Sequence, residues 1–201
     1  MNKEIYYNTK RRTWSPREMA TYWAHFKGCR RVLDLACGIG LFGKYNPGGK
    51  EVYGIDIDEK ALEQAKQYEK VIAGDAMEGL PYDNNFFDGV LMKDALEHVI
   101  YPWVVLKHVK RVLKPGGTVF ATVPAPCKKA WDDYSHVRPF TKRAITELFL
   151  DQDYEVMSVK KIRGLPGFGK LGWNNVSPYI LSIPGLGWLT QGYMIEARKK
   201  A

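Results

Sequence analysis

Two hundred and one residues with 45% apolar side chains are enough to fill one substantial core, which excludes a disordered or collagen-like chain. The formal charge of +8 is unevenly spread: residues 1–31 carry +6, 32–100 carry −7 and 101–201 carry +9, so an acidic block lies between two basic ones. The opening MNKEIYYNTKRRTW lacks the apolar run of a signal peptide, and no stretch approaches the roughly 18 uninterrupted apolar residues of a spanning helix, so a cytoplasmic location is expected.

The first expected element is a helix over SPREMATYWAHFK (15–27), with Ser15 as N-cap, Pro16 at the first helical position and Glu18 at the capping-box position. RRVLDLAC (30–37) reads as a buried strand running into Gly38 and Gly40, followed by a short helix at LFGKY that Asn46-Pro47-Gly48-Gly49 stops. EVYGIDI (51–57) is a second strand, Asp58 a plausible cap for a helix over EKALEQAKQYE, and VIAGDA (71–76) a third strand. FFDGVLMKD (86–94) is the fourth, WVVLKHVKRVL (103–113) a helix with apolar spacings of three and four, and Lys114-Pro115-Gly116-Gly117 a stop before TVFATVP (118–124). Thr141 caps KRAITELFLD, and YEVMSVKKI (154–162) and GYMIEARKK (192–200) close the series as strands. Five parallel crossovers and a late strand pair predict one doubly wound α/β sheet.

The exception to this regularity is 164–191, with six Gly, three Pro, two Trp and one charge in twenty-eight residues. A loop so long and so rich in large apolar residues reads as a lid or acceptor wall, in which Phe168, Trp173, Tyr179 and Trp188 either pack a greasy substrate or cover the sheet edge. Cys29, Cys37 and Cys127 lack the paired spacings of a zinc site or disulfide framework and read as reduced thiols.

Parallel α/β sheets bind ligands at the carboxyl ends of their strands, so the chemistry is sought there. The first strand ends Asp34-Leu35-Ala36-Cys37-Gly38-Ile39-Gly40, where glycines admit a ligand close to the backbone, although a tight turn explains them equally well. Asp56, ending the second strand, can accept hydrogen bonds from both hydroxyls of a ribose, with Ile57 beside it; Asp58 is better explained as the helix cap. At the third strand end, Asp75 and Ala76 offer a side-chain acceptor and a backbone N–H suited to a purine, or simply a turn. Gly38-x-Gly40-x-x-Gly43 formally matches a dinucleotide fingerprint, which keeps NAD open on the glycines alone.

Taken together, VLDLACGIG, VYGIDIDEKAL, AGDAMEGLPYDNNFFDGVLMKDALEHV and LKHVKRVLKPGGTVFATVP resemble, in order and between Val32 and about Pro124, the class I S-adenosylmethionine-dependent methyltransferases of the small type 11 kind. The resemblance implies a Rossmann-like, mostly parallel seven-stranded sheet of order 3-2-1-4-5-7-6 with the last strand antiparallel. It further implies that Asp34 and the loop of Ala36, Cys37, Gly38 and Gly40 hold the methionine part of S-adenosylmethionine, Asp56 its ribose, and Asp75 and Ala76 its adenine. Lys93 would flank the methionine end. Where the family usually has glycine this chain has Ala36, whose methyl group is tolerated if φ stays negative. On this view 1–201 is one methyltransferase domain: a helical lid region over 1–29, a cofactor-binding core over 30–125 and an acceptor side over 126–201 carrying the 164–191 insertion.

Methyl transfer from a sulfonium needs mainly alignment, but an oxygen or amine acceptor benefits from a base. His98 after the fourth strand and His136 after the fifth are the candidates, with Asp132 and Asp133 nearby; bracing of the site and anchoring of a loop are their plainer explanations. No metal is expected, since no two such residues lie at i, i+4 on a helix. The basic pairs Arg11-Arg12, Arg30-Arg31, Lys128-Lys129 and Lys142-Arg143 suggest a negative acceptor or an ordinary solvated surface. A small-molecule or lipid-like acceptor is preferred to RNA because no RNA-binding module is appended, and a binding protein that kept the pocket but lost turnover would look much the same. Oligomeric state is not legible.

Overall fold

The computed structural model describes residues 16–163 and 190–201. Helix α1 (Pro16–Trp23) starts at the expected proline and tightens into a 3-10 turn over Ala24–Phe26, and the short helix expected after the glycines is α2 (Leu41–Lys44). Strands β1 (Arg31–Leu35), β2 (Glu51–Asp56), β3 (Lys70–Ala73), β4 (Phe87–Lys93), β5 (Leu113–Pro124), β6 (Tyr154–Arg163) and β7 (Thr190–Lys199) form one sheet in the order β3-β2-β1-β4-β5-β7-β6. β1 to β5 pair in parallel, and β7 runs antiparallel to both β5 and β6, which is the implied topology. The order departs from the 3-2-1-4-5-6 arrangement of dinucleotide-binding sheets.

Both faces of the sheet are covered, and successive residues alternate between two cores. Val90 and Met92 of β4 and Val119, Ala121 and Val123 of β5 pack with Val105, Leu106, Val109 and Val112 of α4 (Pro102–Val112). The same core takes Ile145 and Phe149 of α6 (Lys142–Asp151). Val32, Leu91 and Phe120 face the other way, onto Met19, Tyr22 and Trp23 of α1 and onto Phe26 and Phe42. Thr141 caps α6 by accepting from the Ala144 N–H at 3.1 Å, as its position in the sequence predicts.

Two elements differ from expectation. The helix expected over 59–69 is only α3 (Glu59–Leu62), capped as predicted by Asp58, and thereafter the chain tightens into i→i+3 turns at Gln64 and Ala65. Helix propensity is overridden by tertiary contact: the tightened turns carry Gln67 to the Gly40 carbonyl and bury Tyr68 against Asp34. Lys114–Gly117, expected as a stop, is instead taken into β5, where the pairing jumps from Phe87 with Leu113 to Gly89 with Thr118 and Gly116 takes φ 72°.

The Arg30-Arg31 pair belongs to the amino end of the sheet. Both guanidinium groups bond Glu51, and Asp88 accepts from both backbone N–H groups, so this pair braces the ends of β1, β2 and β4. Arg11-Arg12, Ser15 and residues 164–189 with their four aromatics lie outside the described residues; Thr190 and Gln191 of the expected insertion open β7. Among the described residues no helix is long and apolar enough to cross a membrane. The three cysteines are unbridged.

Candidate functional site

Parallel pairing of Leu35 with Ile55 and Met92, of Asp56 with Ala73, and of Lys93 with Thr122 sets the carboxyl ends of β1 to β5 along one edge. The predicted residues Asp34, Ala36, Cys37, Gly38, Gly40, Asp56, Ile57, Asp75, Ala76 and Lys93 therefore share that edge. Asp56 is at its centre. The Gly38 N–H donates to its Oδ2 at 2.8 Å and the Asp58 N–H to its Oδ1 at 2.9 Å, so the glycine loop is tied to the end of β2. The carboxylate has about four acceptor sites, more than its backbone donors fill. Burial raises the Asp56 pKa, and the Asp58, Gly38 and Ile57 backbone donors oppose that rise. Beside it Ile57 leaves 58% of its surface exposed, an apolar face next to a buried carboxylate.

Asp34 has a partner that the sequence reading did not single out. The Tyr68 hydroxyl donates to Asp34 Oδ2 at 2.5 Å and accepts from the Gly43 N–H at 3.1 Å. Burial pushes Asp34 up to about 7; Tyr68 lowers it, Asp56 raises it and Lys93 lowers it. The third glycine of the apparent dinucleotide fingerprint is thereby accounted for: a Cβ on Gly43 would meet the Tyr68 ring at 2.8 Å. Gly43 makes room for a side chain of this protein, and the fingerprint reading loses its third member. Nothing in the local pattern marks Tyr68, because the expected helix would have carried it differently.

Ala36 corrects an expectation. Its φ is +63°, not negative, so an L side chain occupies a left-handed position while its N–H donates to the Ile55 carbonyl at 2.8 Å. The turn needs this geometry to pass the chain from β1 into the loop that Asp56 holds. A left-handed alanine costs about 1–2 kcal/mol, whereas glycine returns about 0.4–1 kcal/mol in unfolded-state entropy. Ala36→Gly is therefore expected to stabilise the protein by about 0.5–1 kcal/mol, read as a higher urea midpoint; a lower midpoint would contradict the strain.

The remaining loop residues divide by side chain and backbone. Cys37 is buried, its Sγ packed where a Cβ on Gly54 would sit, and burial drives its thiol pKa far up, so only its backbone is offered to a ligand. Ala76 is likewise buried in the core, and Asp75 Oδ1 accepts from the Met77 N–H at 2.8 Å, the turn geometry anticipated as its plainer role. Lys93 ion-pairs with Asp94 at 2.6 Å, and Asp94 is further held by the Thr122 hydroxyl at 2.8 Å.

His98 and His136, from separate segments, come together with ring centroids 4.7 Å apart in an edge-to-face contact. His98 Nδ1 lies 3.2 Å from the Ser135 carbonyl and His136 Nδ1 2.7 Å from the Ala130 carbonyl. A carbonyl accepts only from N–H, so both rings carry hydrogen on Nδ1. Burial, then His136, lowers the His98 pKa. Asp133 Oδ2 stands 3.7 Å from His136 Nε2. Two surface cavities of about 520 and 560 Å³ lie elsewhere, by Tyr53, Tyr82 and Arg111 and by His25, Cys29 and Lys114, and the strand-end carboxylates Asp34 and Asp56 line neither.

Residues 33–121 match the family model described as a methyltransferase domain. The demethylmenaquinone methyltransferase of Staphylococcus aureus is 42% identical over 100 residues, covering 44% of this chain and 41% of that protein. The chain thus spans about two fifths of the length of the curated relatives it matches. Among solved structures, an S-adenosylmethionine-dependent methyltransferase from Archaeoglobus fulgidus superposes with a TM-score of 0.78 at 20% identity, over 99% of this chain and 100% of that one. The [4+2]-cyclase SpnF superposes with a TM-score of 0.71 at 19% identity, over 92% and 81%, so the fold by itself does not specify the reaction. Over residues 33–121 the order of the motifs and of the strands agrees with the methyltransferase-domain family model that this segment matches.

Proposed function

We propose that the protein is an S-adenosylmethionine-dependent methyltransferase acting on a small-molecule or lipid-like acceptor in the cytoplasm. The observation that carries this reading is the oriented Asp56 carboxylate at the end of β2, beside exposed Ile57 and the left-handed loop it anchors. Ribose hydroxyls would donate to Asp56, Ile57 would lie against the adenine, and Asp75 and the Ala76 backbone would meet its edge. Asp34 and the Ala36–Gly40 loop would hold the methionine part, with Lys93 at its far end. The charge of the edge supports the assignment. Asp34, Asp56, Asp58 and Asp75 surround it, which suits a ligand bearing a sulfonium and an ammonium and opposes the pyrophosphate of NAD.

When bound, the donor supplies a methyl group on a carbon with a neutral thioether as leaving group. The protein's part is to align an acceptor in line with that carbon and to take the acceptor's proton. His98 and His136 are the proposed bases, since each turns Nδ1 to a backbone carbonyl and so directs Nε2 away from it, and burial lowers the His98 pKa. The proposed division of the chain assigns the donor to 30–125 and the acceptor to 1–29 and 126–201. A lipid-like acceptor draws support from the demethylmenaquinone methyltransferase named above, and from that resemblance only over the shared segment.

Titration calorimetry with S-adenosylmethionine and with NAD tests the donor: saturable binding of the former and none of the latter is expected, and a preference for NAD would remove the reading. With phenolic, quinol, anionic-lipid and RNA acceptors, release of S-adenosylhomocysteine is expected for a small or lipid-like compound. Release with RNA alone would reassign the acceptor, and silence with tight donor binding would make the protein a sensor.

A further inference from the structure

We propose that Glu97, His98 and His136 form a binding site for a borderline divalent cation of the Zn²⁺ type. One ligand atom from each lies within 4.8 Å of the others, and the set combines two imidazoles with one carboxylate. The absence of an i, i+4 pair, which argues against a metal in the sequence, does not bear on this arrangement. Its ligands come from two segments that tertiary structure brings together: the 3-10 turn Leu96–His98 after β4, and the loop after α5 (Lys128–Trp131).

Three further features favour a cation there. Each histidine directs its Nδ1 hydrogen to a backbone carbonyl, Ser135 for His98 and Ala130 for His136. That second bond is what fixes a metal-binding imidazole, because it sets the tautomer and leaves Nε2 for the metal. The two segments are clamped, since the Glu97 carbonyl accepts from the Val137 N–H at 2.7 Å and from the Arg138 N–H at 3.3 Å. The ligands are therefore held on a common frame before any cation arrives.

The surroundings of the set are acidic. The Glu97 side chain is buried, and the Asp94 and Asp133 carboxylates both act electrostatically on His98 from outside the set. Two imidazoles and a carboxylate make up a ligand set used by catalytic zinc, which leaves a position open. Ligands about 2.0–2.1 Å from zinc stand roughly 3.4 Å apart in a tetrahedron, so the set closes by side-chain rotations of about an ångström. The open position would take an oxygen of the acceptor, making an oxygen-bearing acceptor the class served; with the cation bound the two histidines act as ligands and the cation would acidify that oxygen, and only in the metal-free protein are they the bases proposed above. That use rests on the methyltransferase reading, whereas cation binding does not.

Calorimetric titration of untagged protein with Zn²⁺, with no nucleotide present, is expected to show one saturable site per chain. Affinity should fall at least tenfold in His136→Ala and in Glu97→Gln, with the circular dichroism of both metal-free variants unchanged. X-ray absorption of the parent protein loaded with Zn²⁺ needs no variant and should show two imidazoles with oxygen in the remaining positions. Absence of saturable binding, sulfur scattering from cysteine ligation, or equal affinity in both variants would overturn the site. Because the donor titration is separate, loss of the cation site leaves the methyltransferase reading standing, and failure of the donor to bind leaves the cation result interpretable.

Discussion

Replacing Asp56 by alanine is expected to weaken S-adenosylmethionine binding by about 1.5–3 kcal/mol, roughly ten- to two-hundredfold, through lost charge-assisted hydrogen bonds to the ribose. The same carboxylate accepts from the Gly38, Asp58 and Ile57 backbone, so the substitution also strands these donors and lowers stability by about 1–3 kcal/mol. Asp56→Asn separates the two effects. Its amide oxygen can keep one backbone donor, and its NH₂ offers a ribose hydroxyl an N–H donor where the carboxylate offered an acceptor. It should therefore lose most of the affinity with less loss of stability. Calorimetry well below each variant's melting temperature gives the affinity and urea unfolding the stability. Undiminished affinity in both variants would move the ribose away from β2.

Asp34 is expected to make both stability and donor binding depend on pH. Its folded-state pKa of about 7 lies above the ordinary 3.8, so the folded protein binds the extra proton. Its contribution to stability is then fully present below pH about 4 and is lost as pH rises through about 7, on the order of 4 kcal/mol in all. Relative to Asp34→Asn, the parent should lose that amount between pH 4 and pH 8. Tyr68→Phe, which removes the hydroxyl bonded to Asp34, should move the midpoint upward.

Donor binding should respond with the opposite slope, because the ammonium of the methionine part favours the carboxylate. Affinity should rise up to tenfold per pH unit from pH 5 toward 7 and then level off, with uptake of the ligand releasing a proton. Affinity that is flat across this range would place the ammonium away from Asp34. A difference between parent and Asp34→Asn that is independent of pH would contradict the buried, protonated group.

The legible parts of this molecule are those written locally. Each parallel strand contains an apolar run, an acidic residue or glycine stands at or just after the ends of β2, β3 and β4, and Pro16, Asp58 and Thr141 mark helix starts through bonds or φ values that their own side chains provide. Because ligands in such sheets collect at strand ends, the donor edge could be assembled from Asp34, Asp56 and Asp75 before any geometry was known. What the sequence concealed depends on distant partners. Tyr68 leaves the expected helix to reach Asp34, thirty-four positions away, and Gly43 is glycine because that ring lies over it. The positive φ of Ala36 is imposed by the turn between two strands, not by its own preference. The pairing of His98 with His136 spans two loops, which is why spacing arguments miss it.

The reading as a whole turns on where the adenosine lies. A crystal structure with S-adenosylhomocysteine measures this directly: both ribose hydroxyls should fall within 2.6–3.2 Å of the Asp56 carboxylate oxygens, with the adenine against Ile57. Density for the adenosine at any other strand end, or a nucleoside that leaves Asp56 bonded to backbone donors alone, would contradict the account.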